Sequence, residues 1–150
     1  MKKHQTKLDE LRELLRSAQR SEDAQARLVL FLYEQFYHYD WVGIFRLEGK
    51  NLVLGPYQGK TPTRYTTIPL GEGVCGAAAV TLKTEVVPDV DADARYLVCF
   101  EETRSEVAVP VIKGNRLWGL ITVDSNQPNA FSPDDVAFLE AAARLLAERV

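Results

Sequence analysis

The spacing of apolar residues changes abruptly at Trp41, and this change limits the folds open to the chain more than any other feature. From Lys7 to about Tyr37, apolar residues recur every three or four positions, as in amphipathic helices. After Trp41 short β-type runs follow one another, and the last two, SEVAVPVIKG and RLWGLITVDS, share the turn signal KGN. This pattern predicts terminal helices around an antiparallel sheet.

Both terminal segments carry helix-boundary signals. The stretch RSAQRSED predicts a break between two N-terminal helices, with Ser21 capping the second. Near the end of the chain, Ser132 is the expected N-cap and Pro133 the first helical residue, and two aspartates follow in the first turn. The sequence therefore predicts a well-defined C-terminal helix.

The fold class that follows is α+β. We predict a single domain over residues 1–150, with an N-terminal helical segment at 1–38, a sheet with its loops at 41–131 and a C-terminal helix at 132–150. The sheet should be mostly antiparallel, with five or six strands and with the N- and C-terminal helices packed on one face.

Charge and hydropathy narrow the possible partners. The net charge of −3 and the mixed distribution of acidic and basic residues leave no basic stripe for nucleic acid. The longest apolar run, LVLFLY, is too short for a membrane span, and no apolar segment follows the basic start MKKHQTKLDE. We expect a cytoplasmic protein that binds neither nucleic acid nor membranes.

The stretch GEGVCG at 71–76 satisfies the Gly-x-Gly-x-x-Gly pattern of dinucleotide sites but also contains a cysteine. A dinucleotide site needs an uninterrupted strand before the glycines and a full helix after them. Pro69 precedes Gly71, the helix that follows is short, and no β-α-β repeat is present. We interpret this stretch as a thiol site with an accidental phosphate-loop pattern.

The two cysteines, Cys75 and Cys99, are either inert core thiols or reactive ones, because cytosolic thiols stay reduced. Cys75 stands at an expected helix start, where the helix dipole favours a thiolate. Cys99 lies in a charged segment without a helix or strand pattern, which makes it the better candidate nucleophile. On the residues alone, both alternatives remain open for each cysteine.

Carboxyl groups accompany the cysteines. Glu106 and Asp124 each stand at the end of a predicted strand, where small-ligand pockets are often built. Nearby carboxylates oppose thiolate formation, so Arg95 or Arg104 should counter them. No spacing of His, Cys, Asp and Glu resembles a metal site, and the sequence predicts neither a metal nor an organic cofactor.

Six motifs together resemble the free methionine-(R)-sulfoxide reductase family, whose members are single GAF domains. They are DWVGIF, LVLGPYQGK, IPLGEGVCGAAA, VVPDV, SEVAVPV and GLITVDS, in this order and spacing from Trp41 to the C-terminal helix. The resemblance implies thioredoxin-dependent reduction of free L-methionine-(R)-sulfoxide to methionine, in a protein that forms homodimers. Other GAF domains share the fold and bind different ligands.

The resemblance also implies roles for individual residues. Cys99 matches the catalytic cysteine, which becomes a sulfenic acid, and Cys75 matches the cysteine that would close a disulfide with it. Glu106 matches the glutamate that helps bind the substrate ammonium and position the sulfoxide. Asp124 matches the second aspartate of a DxDS strand end, and Trp41 matches the tryptophan of the methyl-sulfur pocket.

Three positions depart from the family pattern. Tyr65 replaces a third cysteine, Thr122 replaces the first aspartate of DxDS, and Phe45 replaces an aromatic hydroxyl. These losses keep a second hypothesis open, in which the domain is a non-catalytic module that binds a small amino-acid-like ligand or senses oxidants through Cys75 and Cys99. A structural or dimerisation domain is a third possibility.

Extra apolar residues in the N-terminal segment have two interpretations. Phe31, Phe36 and Tyr37 would form a dimer face or would cover the sheet.

Overall fold

The computed structural model of the chain describes residues 4–150. It contains four helices, six strands and one short 3₁₀ turn. In chain order these are α1 Gln5–Arg16, α2 Ser21–Gln35, β1 Trp41–Glu48, β2 Asn51–Gln58, β3 Thr67–Pro69, α3 Gly73–Thr81, β4 Glu85–Val87, the 3₁₀ turn Val90–Ala92, β5 Ser105–Lys113, β6 Arg116–Ser125 and α4 Pro133–Ala147.

The six strands form one antiparallel sheet in the order β3-β2-β1-β6-β5-β4. Two tight hairpins, β1–β2 and β5–β6, meet in the middle of the sheet, where β1 pairs with β6. The two edge strands, β3 and β4, have three residues each. β4 pairs with β5 as far as Ala108, and Pro110 follows two residues later in β5.

One face of the sheet carries the main apolar core. Because side chains alternate along a strand, Val42 and Ile44 of β1 share this face with Ile121 and Val123 of β6. Helices α1, α2 and α4 cover it, and Phe138 of α4 is fully buried there. We call this half of the molecule the helix side.

The helix side also buries one fully satisfied carboxylate. Asp135, in the first turn of α4, accepts a hydrogen bond from the Tyr39 hydroxyl at 2.7 Å and lies 3.3 Å from His38 Nε2. The backbone N–H and hydroxyl of Ser132 donate to its other oxygen at 2.9 and 2.7 Å, in a capping box. Burial raises the pKa of Asp135, but these hydrogen bonds outweigh burial and hold it below its usual range.

The opposite face packs against α3 and the loops between the strands. Its buried residues come from the alternate positions of the same strands, including Trp41 and Phe45 of β1 and Leu120 of β6. We call this half the pocket side. Gly43 of β1 has no side chain here because the Trp41 ring lies over it, and a Cβ at position 43 would collide with that ring.

These observations confirm the predicted fold class, the six-stranded antiparallel sheet and the helices on one face. Ser132 caps α4 as expected. The prediction that Ser21 caps α2 is wrong, because Arg20 holds the N-cap position and the Ser21 hydroxyl accepts a hydrogen bond from Gln25 at 3.1 Å.

The apolar residues of the N-terminal segment divide between two environments. Phe31 and Phe36 cover the sheet, whereas Tyr37 is 87% exposed.

Candidate active site

A pocket opens on the pocket side between α3, the strand ends and the loop 93–104. The structure brings every predicted site residue to its wall: Trp41, Phe45, Cys75, Cys99, Glu106, Thr122 and Asp124. Tyr65, the third position that departs from the family pattern, lies there as well. Residues spread over more than half of the sequence thus meet in one cavity.

The strand register explains how three of these residues meet. Asp124 of β6 is paired with Trp41 of β1 on one side and with Glu106 of β5 on the other. Since these three residues lie side by side on neighbouring strands, their side chains emerge on the same face. The two carboxyl groups are therefore held against each other by the central strands rather than by flexible loops.

The carboxyl pair is almost completely buried, with Glu106 9% and Asp124 4% exposed. Burial, followed by repulsion from Asp124, raises the pKa of Glu106 well above its usual range. Burial also raises the pKa of Asp124, to about 6, although hydrogen bonding to Glu106 and Thr103 lowers it. Both shifts favour the protonated forms, so the two carboxyl groups together hold a proton more readily than isolated ones would.

Cys75 is the third residue of α3, and its side chain lines the pocket. Gly73 adopts a φ of +67°, and a Cβ there would come within 2.8 Å of Leu97, so the chain needs glycine at this turn. The helix start alone would favour a thiolate at Cys75, but its surroundings act in the opposite direction. Burial and the nearby charges of Glu106 and Asp124 raise the pKa of Cys75 well above its usual range.

Cys99 lies in the irregular loop between the 3₁₀ turn and β5, as its sequence context predicts. It is partly exposed, and its thiol donates a hydrogen bond to the backbone carbonyl of Arg64 at 3.3 Å. Burial and the charges of Asp124 and Glu106 raise the pKa of Cys99 to about 11, and Arg64 lowers it in part. At rest the Cys99 side chain is therefore a thiol.

Arg95 and Arg104 pair with acidic side chains near Cys99, and Arg95 also lowers the pKa of Glu106 in part. Arg95 binds Asp93 at 2.7 Å and Glu85 at 2.9 Å, and Arg104 lies 3.3 Å from Asp91. The cation that lowers the pKa of Cys99 is Arg64, which lies 35 residues earlier in the chain.

Trp41 forms one wall of the pocket and connects two loops. Its indole N–H donates to the carbonyl of Lys60 at 2.9 Å, and its ring packs against Phe100 at 5.8 Å. The Lys60 ammonium binds both carboxylate oxygens of Glu102 at 3.1 Å. The segment around Lys60 and the loop that carries Cys99 are therefore joined next to the pocket.

Phe45, Tyr65 and Thr122, the three departures from the family pattern, contribute uncharged side chains to the pocket wall. Phe45 and Thr122 are buried, at 4% and 1% exposure. Tyr65 adopts a φ of +59°, in the left-handed region that an L residue rarely occupies. None of these three side chains carries a charge near neutral pH or a thiol.

Sequence analysis missed four residues around the pocket: Lys60, Arg64, Tyr96 and Thr103. The Thr103 hydroxyl lies 3.5 Å from Asp124 Oδ2 and packs among buried groups. Tyr96 precedes Cys99 by three positions and packs against the pocket-side core. Nearness to Cys99 along the chain is a signal that would have found Tyr96 and Thr103, but the contacts of Lys60 and Arg64 depend on loop packing.

Residues 4–150 contain neither a metal-binding cluster nor a membrane-spanning helix. No group of three or more His, Cys, Asp and Glu side chains is arranged to hold a metal ion in this part of the chain. Within it, no helix combines the length and the apolar character needed to cross a membrane.

The family model of the GAF domain matches residues 21–150, which include β1 to α4 and the whole pocket. The chain belongs to the GAF domain family. This GAF domain is 38% identical to the free methionine-R-sulfoxide reductase of Saccharomyces cerevisiae over 111 residues, which make up 71% of this chain and 61% of that protein. The match therefore spans less than two thirds of the yeast reductase.

Solved structures give a similar result for this GAF domain. It is 32% identical to the free methionine-R-sulfoxide reductase from Neisseria meningitidis, solved in complex with its substrate, with a TM-score of 0.90 and coverage of 95% of this chain and 84% of that chain. It is 36% identical to the type II free methionine-R-sulfoxide reductase from Thermoplasma acidophilum, with a TM-score of 0.80. This match covers 92% of this chain and 93% of that chain. The family resemblance inferred from the motifs is confirmed.

Proposed function

We propose that this GAF domain is a thioredoxin-dependent reductase of free L-methionine-(R)-sulfoxide, with Cys99 as nucleophile and Cys75 as resolving thiol. One observation carries the proposal. Two cysteines and a buried carboxyl pair whose pKa values are both raised line the same pocket. Relatives that bear the name of this reductase support it.

Substrate binding uses the charged and apolar parts of the pocket separately. The ionised Asp124 attracts the ammonium group of the sulfoxide, while Trp41 and Phe45 supply apolar surface for its methyl-sulfur end. The arriving ammonium offsets the negative charge that raises the pKa of Cys99, so ligand binding favours the thiolate.

The chemical step needs a nucleophile and an acid. The Cys99 thiolate attacks the sulfoxide sulfur while Glu106, whose raised pKa favours the protonated form, donates its proton to the sulfoxide oxygen. The sulfur–oxygen bond breaks, the hydroxyl passes to Cys99, and methionine leaves. The proton released by the Cys99 thiol returns to the carboxyl pair, so Cys99 ends as a sulfenic acid.

Cys75 then completes the oxidative half of the cycle. Its thiol attacks the sulfenic acid, a Cys75–Cys99 disulfide forms, and the oxygen leaves as water. The two thiols of reduced thioredoxin restore both cysteines by disulfide exchange. The raised pKa of Cys75 keeps it protonated until this step and protects it from adventitious oxidation.

The altered wall should weaken the reaction rather than abolish it. Replacement of an ammonium-binding carboxylate by Thr122 removes a charge-assisted hydrogen bond, which corresponds to a loss of affinity on the order of 10-fold to 100-fold. The same losses at Thr122 and Tyr65 favour the second candidate, a module that binds a small amino-acid-like ligand or senses oxidants without turnover.

Thioredoxin-coupled consumption of NADPH tests the proposal directly. The substrates are free methionine-(R)-sulfoxide, the (S) epimer and a peptide-bound sulfoxide, each with the wild-type protein and with Cys99→Ser and Cys75→Ser. We expect turnover of the free (R) epimer alone. Folded, reduced protein that turns over none of the three substrates would contradict the proposal.

Mass spectrometry separates the reductase from the sensor. A reductase forms the Cys75–Cys99 disulfide with one equivalent of free methionine-(R)-sulfoxide, whereas a sensor forms it with peroxide alone. The high pKa of Cys99 argues for the first outcome, since oxidant sensors depend on thiolates.

Organisation and location belong to the same proposal. We expect residues 1–150 to act as one domain, to form a homodimer and to work in the cytoplasm, where thioredoxin keeps thiols reduced. Light scattering coupled to size-exclusion chromatography measures the mass in solution, for which a value near 16.9 kDa would exclude the dimer.

A further inference from the structure

A disulfide between Cys75 and Cys99 offers two sulfurs to an external thiol, and the two differ in access. A thiolate must approach the attacked sulfur directly, so a buried sulfur is protected from a bulky reductant. Cys75 is 6% exposed in α3, whereas Cys99 lies in a loop and is partly exposed. Of the two sulfurs, that of Cys99 is the one that a protein-sized reductant reaches.

Two exposed apolar side chains flank Cys99. Val98 precedes it in the loop and is 44% exposed, although Leu97 and Cys99 on either side line the pocket. Tyr65 is also exposed, and the hydrogen bond from the Cys99 thiol to the carbonyl of Arg64 at 3.3 Å brings the start of this residue beside the thiol. We call Val98 and Tyr65 the apolar collar of Cys99.

The charged side chains next to the collar balance one another. The Lys60 ammonium pairs with Glu102, and the exposed residues Arg64 and Glu101 carry opposite charges. Since these formal charges sum to zero, the surface around the collar does not favour a strongly charged partner. It suits a protein that docks through apolar contacts.

Attack at Cys99 expels Cys75, whose raised pKa makes it a poor leaving group. Glu106 offsets this disadvantage. It is close enough to Cys75 to shift the pKa of that thiol, and its own raised pKa favours the protonated form. Because the carboxyl proton can pass to the departing sulfur, access decides which sulfur is attacked.

We propose that the apolar collar is the docking surface of thioredoxin and that thioredoxin attacks the sulfur of Cys99 rather than that of Cys75. The inference rests on the proposed function and names the surface that its reductant uses. The thioredoxin thiolate bonds to Cys99 Sγ, the Cys75–Cys99 bond breaks, and Cys75 leaves with the electron pair and takes the proton of Glu106. Solvent returns to Glu106 the proton that the thioredoxin thiol lost on ionisation.

A second exchange completes the reduction. The other thioredoxin thiol gives up its proton and attacks the thioredoxin sulfur of the mixed disulfide. Cys99 leaves with the electron pair and takes up a proton, and oxidised thioredoxin departs. Both cysteines of the domain are then thiols again.

Trapping of the mixed disulfide tests which sulfur is attacked. Diamide forms the Cys75–Cys99 disulfide without methionine sulfoxide, and thioredoxin whose second active-site cysteine is replaced by serine stops at the mixed disulfide. Trypsin separates the two cysteines, since residues 96–104 contain Cys99 and residues 65–83 contain Cys75. We expect mass spectrometry to find thioredoxin on 96–104. Thioredoxin on 65–83, no conjugate, or no disulfide after diamide would each overturn the proposal.

The rate of reduction of the diamide-formed disulfide tests the docking surface. Val98→Ser should lower the second-order rate constant for thioredoxin about threefold or more and leave that for dithiothreitol unchanged, because a small dithiol needs no collar. Val86→Ser, which truncates a valine of similar exposure, 41%, on the edge strand β4, is the matched control and should change neither constant. An unchanged rate with thioredoxin, or an equal loss with both reductants, would contradict docking at Val98.

Turnover of methionine sulfoxide reports on the proposed function separately. Capture of thioredoxin on Cys99 without turnover of any sulfoxide would leave the docking surface standing and exclude the reductase. Turnover together with capture on Cys75 would do the reverse.

Discussion

Each face of the sheet buries an aspartate, and the pKa values of the two aspartates are shifted in opposite directions. On the helix side, Asp135 has partners for both oxygens, and its pKa lies below the usual range. On the pocket side, Asp124 keeps a free oxygen, and burial raises its pKa to about 6. A satisfied buried carboxylate stabilises the fold, whereas an unsatisfied one destabilises it and is available to a ligand.

The side chains around Asp135 and those around Asp124 differ in chemical character as well. The helix side consists of fully buried aliphatic and aromatic side chains such as Phe138 and Leu139. The pocket side combines apolar residues with two cysteines and a second carboxyl group. We expect substitutions on the helix side to change stability and those on the pocket side to change chemistry.

The largest expected effect is on turnover. Cys99→Ser should lower kcat by at least about 1000-fold, because a hydroxyl cannot replace the attacking thiolate, while the melting temperature stays within about 2 °C of wild type. The coupled NADPH assay and a thermal melt measure the two quantities. Substantial residual turnover in Cys99→Ser would move the nucleophile elsewhere.

The next effect concerns the helix-side core. Phe138→Ala should lower the free energy of unfolding by about 4 kcal/mol, because it leaves a cavity in a fully buried cluster. Phe100→Ala, the matched change on the pocket side, should cost about 1 kcal/mol, since Phe100 is partly exposed at the pocket wall. Equal losses in urea titrations would show that the two faces contribute alike to stability.

The two aspartates should respond with opposite signs. Asp135→Asn should lower the free energy of unfolding by about 2 kcal/mol at pH 7, because charge-assisted hydrogen bonds are lost. Asp124→Asn should raise it by about 2 kcal/mol at pH 8, because a buried charge is removed, and should abolish turnover.

The dependence of these effects on pH checks their origin. The contribution of Asp135 is present above the ordinary aspartate pKa and is lost as the pH falls through its lowered value. Asp124 acts in the opposite direction. Its raised pKa lowers stability progressively as the pH rises from about 4 to about 6, a trend that Asp124→Asn should remove. The same sign for both variants at pH 8 would contradict the comparison.

The smallest effect is on the Cys99 thiol itself. Its rate of alkylation by iodoacetamide should rise with pH as for a group with a pKa of about 11. Saturating L-methionine should lower this apparent pKa on the order of one unit, since its ammonium offsets the charge of Asp124. A shift of the same size with the des-amino analogue would rule out this electrostatic origin.

Local sequence signals were sufficient for the fold. The change in periodicity at Trp41 and the signature from Ser132 to Asp135 depend on neighbours along the chain, and the structure agrees with both. The strand ends and the family motifs also predicted a shared pocket for Glu106 and Asp124, and in the structure both residues line the same pocket.

The protonation states of the site residues could not be predicted from local sequence signals. The helix start at Cys75 favours a thiolate locally, but burial by α3 and the sheet has the larger effect. Arg64 acts on Cys99 across 35 residues of chain, through a loop contact that no spacing rule describes. Charge state depends on depth and on distant partners, which are properties of the packed molecule.

The short edge strands have a consequence for behaviour at high concentration. β4 covers β5 only as far as Ala108, and Pro110 soon afterwards offers no N–H to an incoming strand. At the other edge, β3 ends at a second proline, Pro69. Both borders of the sheet therefore resist edge-to-edge growth, so the sheet offers no β-type aggregation route to copies of this domain.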